Sequence, residues 1–322
     1  MILVRTVNLT KYFTSGFIRK KVVKAVDNVN IYISEGEVLG VVGESGAGKT
    51  TLCKLLLGLI KPTSGSIIFE NIDITRANRK LLDSIRRKMA YIPQHPETAL
   101  DPRWKLYDSL AEPLRIHKLV RGKVEEKERV LELADLVGLK EEHLSRYPYE
   151  VSGGELQRAI IAHALSLKPK FIICDEPTSM LDPSTQALIL NLLKKLQEEH
   201  SLSLLFVTHD PDIATIMSHR VAVMYSGMII ETARTNDILE EPLHPYTQQF
   251  ISTVFKRTRL ESDDLLSQPP IEGSSYACPF YAKCPRRMSI CKTKTPPLIR
   301  VADEHYVTCH LYNESNPHTG RI

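Results

Sequence analysis

The chain has 322 residues, 43% of them hydrophobic, which allows two ordinary domains, or one large domain with an appendage, around a normal core. Its 42 basic and 38 acidic residues leave a net charge of +4, too mild to argue for nucleic acid by itself. The aliphatic run at residues 55–60 is broken by Gly58, no stretch approaches the roughly 18 apolar residues of a membrane-spanning helix, and Met1-Ile2-Leu3-Val4-Arg5 lacks the basic and long apolar regions of a signal peptide; the expectation is a water-soluble, cytosolic chain.

In chain order, Val38-Leu39-Gly40-Val41-Val42 reads as a short buried strand. Gly43-Glu44-Ser45-Gly46-Ala47-Gly48-Lys49-Thr50 follows, then a helix from Lys49 to about Leu57, with Gly58 as its stop. The eight residues match G-x-x-x-x-G-K-[ST] between strand and helix. Glycines let several backbone N–H groups point at one anion, and the helix adds its positive end. Lys49 supplies a full charge for the β- and γ-phosphates, and the Thr50 hydroxyl can ligate Mg2+. The plain alternative, a glycine turn before a helix, is outweighed by agreement over the whole pattern in this context.

Further strands are expected at residues 67–70, 171–174, 204–208 and 221–225. Between residues 98 and 167 the pattern turns helical: Val130, Leu133, Ala134 and Val137 share one face, and Gly138 ends it. Asp182-Pro183 opens another helix, whose stripe is Leu188, Ile189, Leu192, Leu193 and Leu196. The fold class is α/β: a strand-rich core with an inserted helical segment.

Two strand ends carry polar groups. Phe171-Ile172-Ile173-Cys174-Asp175-Glu176 delivers two acids at the tip of a buried strand. Asp175 suits a Mg2+ contact, direct or through water. Glu176 suits a base that orients and deprotonates an attacking water. A solvated acidic turn is the plain alternative, and the phosphate loop weighs against it. Leu204-Leu205-Phe206-Val207-Thr208-His209-Asp210 repeats the design, with His209 placed to contact a γ-phosphate; alone, it would read as a polar loop residue.

After about residue 255 the texture changes. Pro269-Pro270, Gly273-Ser274-Ser275 and Pro296-Pro297 mark irregular chain with little apolar periodicity. Of the six cysteines, Cys53 and Cys174 sit in apolar contexts as small core residues, whereas Cys278, Cys284, Cys291 and Cys309 crowd this tail. In a cytosolic setting such a cluster favours a metal over disulfides. The spacings leave iron–sulfur and zinc both open, with His305 and His310 as substitute ligands.

Val151-Ser152-Gly153-Gly154-Glu155-Leu156-Gln157-Arg158 precedes the acidic pair, and S-G-G-[QE] opening a helix resembles the signature motif of ABC-type ATPases. The resemblance covers residues 1 to about 250. It implies a P-loop ATPase with a mixed-sheet core, a helical subdomain at about 96–167, and a nucleotide-binding domain at 1–255. It further implies nucleotide contacts from Tyr12 (stacking on adenine), the loop Gly43, Glu44, Ser45, Gly46, Ala47, Gly48, Lys49 and Thr50, and Thr51. Mg2+ contacts are implied for Thr50, Gln94 and Asp175, and catalytic roles for Glu176 and His209. In such proteins two subunits pair head to tail, so Ser152, Gly153 and Gly154 close over the partner's phosphate loop, and Ser179-Met180-Leu181-Asp182 crosses the interface. Val151, Glu155 and Met180 stand where leucine, glutamine and alanine are common.

His244-Pro245-Tyr246-Thr247 and the cysteine tail resemble the oligopeptide/dipeptide subfamily. That implies an extension at 256–322 whose Cys278, Cys284, Cys291 and Cys309 hold a [4Fe–4S] cluster, or Zn2+, as a staple for an irregular tail. It implies ATP hydrolysis that energises import, with a second ATPase chain (related but different), two membrane permease subunits and an extracytoplasmic binding protein as partners. The location implied is peripheral, on the cytoplasmic membrane face. Peptide is the cargo class implied; oligosaccharide and nickel remain alternatives. A DNA-repair ATPase is disfavoured by the short interval between Lys49 and Ser152, with no sustained heptads, and a translation factor by the single ATPase unit. Nucleic acid is not an expected partner, the basic residues Arg286, Arg287, Lys292 and Lys294 reading as a solvated loop.

Overall fold

The computed structural model describes residues 1–15, 21–256 and 276–313. The tail segments Pro269-Pro270 and Gly273-Ser274-Ser275 lie outside the described residues, as does much of the 256–322 extension. The chain divides into two compact units built from interleaved segments: Met1–Val4, Ile33–Val38 and Ile68–Val207 form one, and Arg5–Tyr32, Leu39–Ile67 and Thr208–Ile322 the other.

In the first unit, the strands Met89–Ile92, Phe171–Asp175 and Ser203–Thr208 run parallel, with Met89 opposite Phe171 and Phe171 opposite Ser203. Every residue of Phe171–Asp175 is buried. A near-continuous apolar run is what a strand covered on both faces requires. The helices Leu106–Ile116, Lys123–Leu136 and Gly153–Leu165 pack on one another. Val130, Leu133 and Ala134 turn inward, and Gly138, at φ 70°, closes the second of these helices in the left-handed conformation. The helix Pro183–His200 starts on Asp182, whose carboxylate accepts from the Ser184 and Thr185 N–H groups. Its buried stripe is Ile189, Leu190, Leu193 and Leu196; Leu188, expected inside, is 57% exposed.

The second unit contains the parallel pair Val38–Val42 and Arg220–Tyr225. Arg220–Tyr225 also pairs antiparallel with Met228–Arg234. Met228–Arg234 continues through His305–Thr308 to Leu298–Ala302, again antiparallel. Read as irregular in sequence, the tail therefore contributes a hairpin to this sheet. Pairing through the backbone asks for no apolar periodicity, so the sequence pattern did not show it. Ahead of these strands, Ile2–Ser15 and Lys21–Val29 form an antiparallel ladder. The core of the unit combines Val42, Val223, Tyr225 and Ile230 with Tyr246 and Phe250 of the helix Pro245–Lys256, and with Cys278, Phe280 and Cys291. The tail is thus buried by borrowing the sheet's apolar surface rather than by building its own.

Among the described residues, no helix is long and apolar enough to cross a membrane.

Candidate functional site

The phosphate loop belongs to the second unit. Its backbone is crowded: a Cβ on Gly43 would stand 2.1 Å from the Met224 carbonyl oxygen, and one on Gly48 2.0 Å from that of Ala25. Gly48 also holds φ +108° as the N-cap of the helix Lys49–Leu56. These two positions admit glycine because nothing larger fits the backbone's approach. The Lys49 side chain curls back, its Nζ donating to the carbonyls of Gly43 at 2.8 Å and Glu44 at 3.0 Å. Its charge is 5% exposed. No acid lies in the first turn of the helix, so its N-terminal end keeps its full attraction for an anion. Ser45, Gly46 and Thr50 are exposed and Thr51 half-buried, while Ala47 is buried and its carbonyl accepts from the Gly227 N–H.

Tyr12 and His209 lie in the same unit. The Tyr12 hydroxyl donates to Asp27 Oδ1 at 2.6 Å, and Lys24 Nζ stands over its ring, 5.3 Å from the centroid, while pairing with Asp27. Burial, followed by the Asp27 carboxylate, raises the Tyr12 phenol above its usual range. The ring is thereby braced and half-buried. His209 is exposed just past the strand Ser203–Thr208, and Asp210 caps the helix Pro211–Met217.

Gln94, Asp175 and Glu176 belong to the first unit, and contacts connect their surroundings. Asp175 is 1% exposed and its Oδ2 accepts from the Tyr91 hydroxyl at 3.1 Å. Gln94 Nε2 donates to Glu176 Oε2 at 3.1 Å. Glu176 holds φ 49°, left-handed backbone for a residue with a side chain; its N–H donates to Val207 O, and its carbonyl accepts from Ser179. Strain of this sort, held by surrounding hydrogen bonds, concentrates at functional sites. Cys174, just before the pair, has its thiol pushed up to about 12 by complete burial, which makes it an inert core residue.

The Ser152-Gly153-Gly154 segment opens the helix Gly153–Leu165. Ser152 Oγ accepts from the Glu155 N–H at 3.3 Å, and Glu155 Oε2 accepts from the Ser152 N–H at 2.8 Å, a reciprocal capping box. That hydrogen bond from Ser152 holds the Glu155 carboxyl below its usual range. Ser152 and Gly153 are exposed; the capping box takes the N–H groups of Ser152 and Glu155, which leaves those of Gly153 and Gly154 at the helix start.

Cys278, Cys284, Cys291 and Cys309 line one small pocket with His244 and His310. None is in a disulfide. Burial pushes the Cys278 thiol up to about 11 and that of Cys309 up to about 12, and the charges of the other cysteines add to both shifts. Four thiols are the donor type that iron–sulfur and zinc groups use. Among the described residues, no three His, Cys, Asp or Glu side chains stand in metal-holding geometry. His305 is not at the pocket: its Nε2 stands 2.8 Å from Glu231 Oε1. His310 lines the pocket while its Nε2 lies 2.9 Å from the Lys294 carbonyl.

Glu231 was missed in sequence. Fully buried, it accepts from the N–H groups of Leu243 and His244 and meets His305, so it ties the His244-Pro245-Tyr246-Thr247 turn to the tail hairpin. An acid inside the strand Met228–Arg234 was the available signal. Phe280 reaches further: its ring packs edge-on to Tyr225 at 5.4 Å and to Tyr246 at 5.5 Å. Burial, and then the charge of Glu44 in the phosphate loop, pushes the Tyr225 phenol up to about 12 and the Tyr246 phenol higher still.

Residues 26–179 match the ABC transporter family, and residues 230–291 the oligopeptide/dipeptide transporter C-terminal region. The oligopeptide transport ATP-binding protein AppF of Bacillus subtilis is 41% identical over 95% of this chain and 96% of its own length. OppF of Streptococcus mutans is 45% identical over 78% of this chain and 81% of its own. The ATP-binding cassette MJ0796, solved as a dimer in a post-hydrolysis state with ADP and Pi, matches with a TM-score of 0.65 and 32% identity. The match covers 72% of this chain and 99% of that one. Whole-length identity of this order, with both regions matched, shows that the chain belongs to the ATP-binding proteins of ABC transporters, of the oligopeptide/dipeptide type.

Proposed function

We propose that this chain binds and hydrolyses ATP to energise uptake of oligopeptides or dipeptides through separate membrane subunits, working from the cytoplasmic membrane face. The observation that carries the reading is the coexistence, in one chain, of a crowded glycine loop with a folded-back Lys49 and a strained Glu176 held by Gln94. In this reading residues 1–255 form the nucleotide-binding domain and 256–322 the extension. The loop N–H groups and Lys49 hold the phosphates, Tyr12 stacks on the base, and Thr50, Gln94 and Asp175 would hold Mg2+, which offsets phosphate charge when bound. Glu176 takes the proton of the attacking water at a carboxylate oxygen, and His209 holds the γ-phosphate. Ser152, Gly153 and Gly154 face the nucleotide of a second, related ATPase chain, paired head to tail, with the glycines offering their amides. An extracytoplasmic binding protein delivers peptide to two permease subunits. Cys278, Cys284, Cys291 and Cys309 would hold a [4Fe–4S] cluster, whose thiolate bonds would crosslink the tail.

The test is Glu176→Gln in the assembled transporter. Turnover and peptide uptake are expected to fall by roughly 10²–10⁴-fold, while ATP binding holds and ATP-bound dimer accumulates. Hydrolysis near the parent rate would remove Glu176 from the mechanism. Uptake of a sugar or metal ion instead of peptide would overturn the cargo.

A further inference from the structure

Glu155, which stands in the signature where glutamine is common, has a partner. His143, on the short helix Glu141–Leu144, is 8% exposed, and its Nε2 stands 3.2 Å from Glu155 Oε1. The other oxygen of the same carboxylate, Oε2, accepts the Ser152 N–H at 2.8 Å. One carboxylate therefore has its two oxygens turned to two different elements: the start of the signature helix and the helix that holds His143. The charged groups around the imidazole are Glu142, whose Oε1 is 3.7 Å from Nε2, and Glu155. Arg146, one turn along, acts on Glu155 and helps hold its carboxyl down. His143 Nδ1 is buried without a hydrogen-bond partner.

Glu155 is thus held between two elements: its Oε2 takes the Ser152 N–H, and its Oε1 lies within ion-pair distance of His143 Nε2. A glutamine at 155 would keep one acceptor oxygen and lose the negative charge that faces the imidazole.

We infer that His143 is a positioning residue of the signature motif: it fixes Glu155, and through the capping box the angle at which Ser152 and the amides of Gly153 and Gly154 are presented. The helix is held from a second side as well, because Arg158 Nη1 donates to the Val137 carbonyl at the end of the helix Lys123–Leu136. Arg158 sits one turn further in and constrains the body of the helix; His143 constrains its first turn. The inference rests on the reading that this segment closes over the partner chain's nucleotide.

The experiment measures ATPase kinetics of the assembled transporter, and ATP affinity of the isolated chain, whose own phosphate loop His143 does not serve. His143→Ala is expected to lower kcat roughly tenfold, the scale of one close polar contact to a charged group, with ATP affinity within about twofold of the parent. His143→Gln, which keeps an N–H donor, should recover most of that loss. Glu155→Gln, nearly isosteric and thus safe for folding, should lower kcat by a similar factor. The double variant His143→Ala/Glu155→Gln should be no slower than the slower single, because both remove one interaction. Parent-like kcat in His143→Ala, or independent multiplication of the two losses, would overturn the positioning role. So would an equal fall in ATP affinity, which marks a general structural defect. Gly154→Asp separates the two layers: full ATPase in that variant would sink the signature reading itself, whereas its inactivation beside an unaffected His143→Ala sinks only the inference.

Discussion

Residues 43–50 supply the whole phosphate loop, whereas the thiols of the tail come from Cys278, Cys284 and Cys291 on one short stretch and from Cys309 beyond a hairpin. The loop works through backbone N–H groups and one lysine that folds onto its own carbonyls, so its polar groups are gathered by contiguous chain. The tail presents side chains: local turns bring Cys278, Cys284 and Cys291 together, Cys309 follows the hairpin that pairs with Met228–Arg234, and Phe280 packs edge-on against both Tyr225 and Tyr246. A site made of backbone is insured by local sterics; a site made of scattered side chains depends on packing elsewhere. The two regions also meet one core, since Val42, the residue before the loop, shares its apolar cluster with Cys278 and Phe280. Tail and loop are therefore different in construction and connected in packing.

The largest test of that contrast is Phe280→Ala. Phe280 is 1% exposed among aromatic neighbours, and truncation of such a side chain costs about 3–5 kcal/mol. Hydrogen exchange should show the tail hairpin opening first, with the strand Val38–Val42 losing protection to a lesser degree. Unchanged protection in that strand would show that the shared core transmits nothing.

Lys49→Ala comes next. It removes the charge proposed to meet phosphate and the donor to the Gly43 and Glu44 carbonyls. ATP affinity is expected to fall roughly 10- to 100-fold, as for a charge-assisted hydrogen bond, with the tail's protease resistance unaltered. Titration with ATP at parent affinity would refute the loop's role.

The smallest effect on the loop is expected from Cys284→Ser. Residues 276–313 should become more sensitive to protease and the protein should lose bound metal, while ATP affinity stays within about twofold. Elemental analysis of the anaerobically purified parent should give about four irons per chain. Stoichiometric zinc would keep the staple and replace the cluster; four freely alkylated thiols would remove both.

Much of the fold was legible wherever pattern and neighbour coincide. The buried strands Val38–Val42 and Phe171–Asp175 follow from uninterrupted apolar runs, and the helix stop at Gly138 from a residue that accepts φ 70°. Leu188 misled because it continues an apolar stripe on a face that this chain leaves exposed. The tail hairpin was invisible because its strand Leu298–Ala302 is largely exposed and carries no alternation of buried and exposed residues. Of the candidate site, the phosphate loop was readable in full as a pattern. The tie from Gln94 to Glu176 spans 82 residues, and the tie from Glu231 to His305 spans 74; spacing in sequence carries no information about such contacts.

By itself, then, the sequence determined the elements whose physics is local: a glycine loop whose backbone must curl, a lysine within reach of its own carbonyls, an apolar strand ending in two acids, and a serine-capped helix. Only the tertiary structure decided which distant groups share a polar contact or a pocket. It turned the four cysteines to one pocket and removed His305 from it by giving that ring to Glu231, and it set His143 against Glu155, where glutamine is common. The reason is that hydrogen bonding and burial act at a few ångströms regardless of chain separation, while periodicity reports only on neighbours a turn or a pleat away.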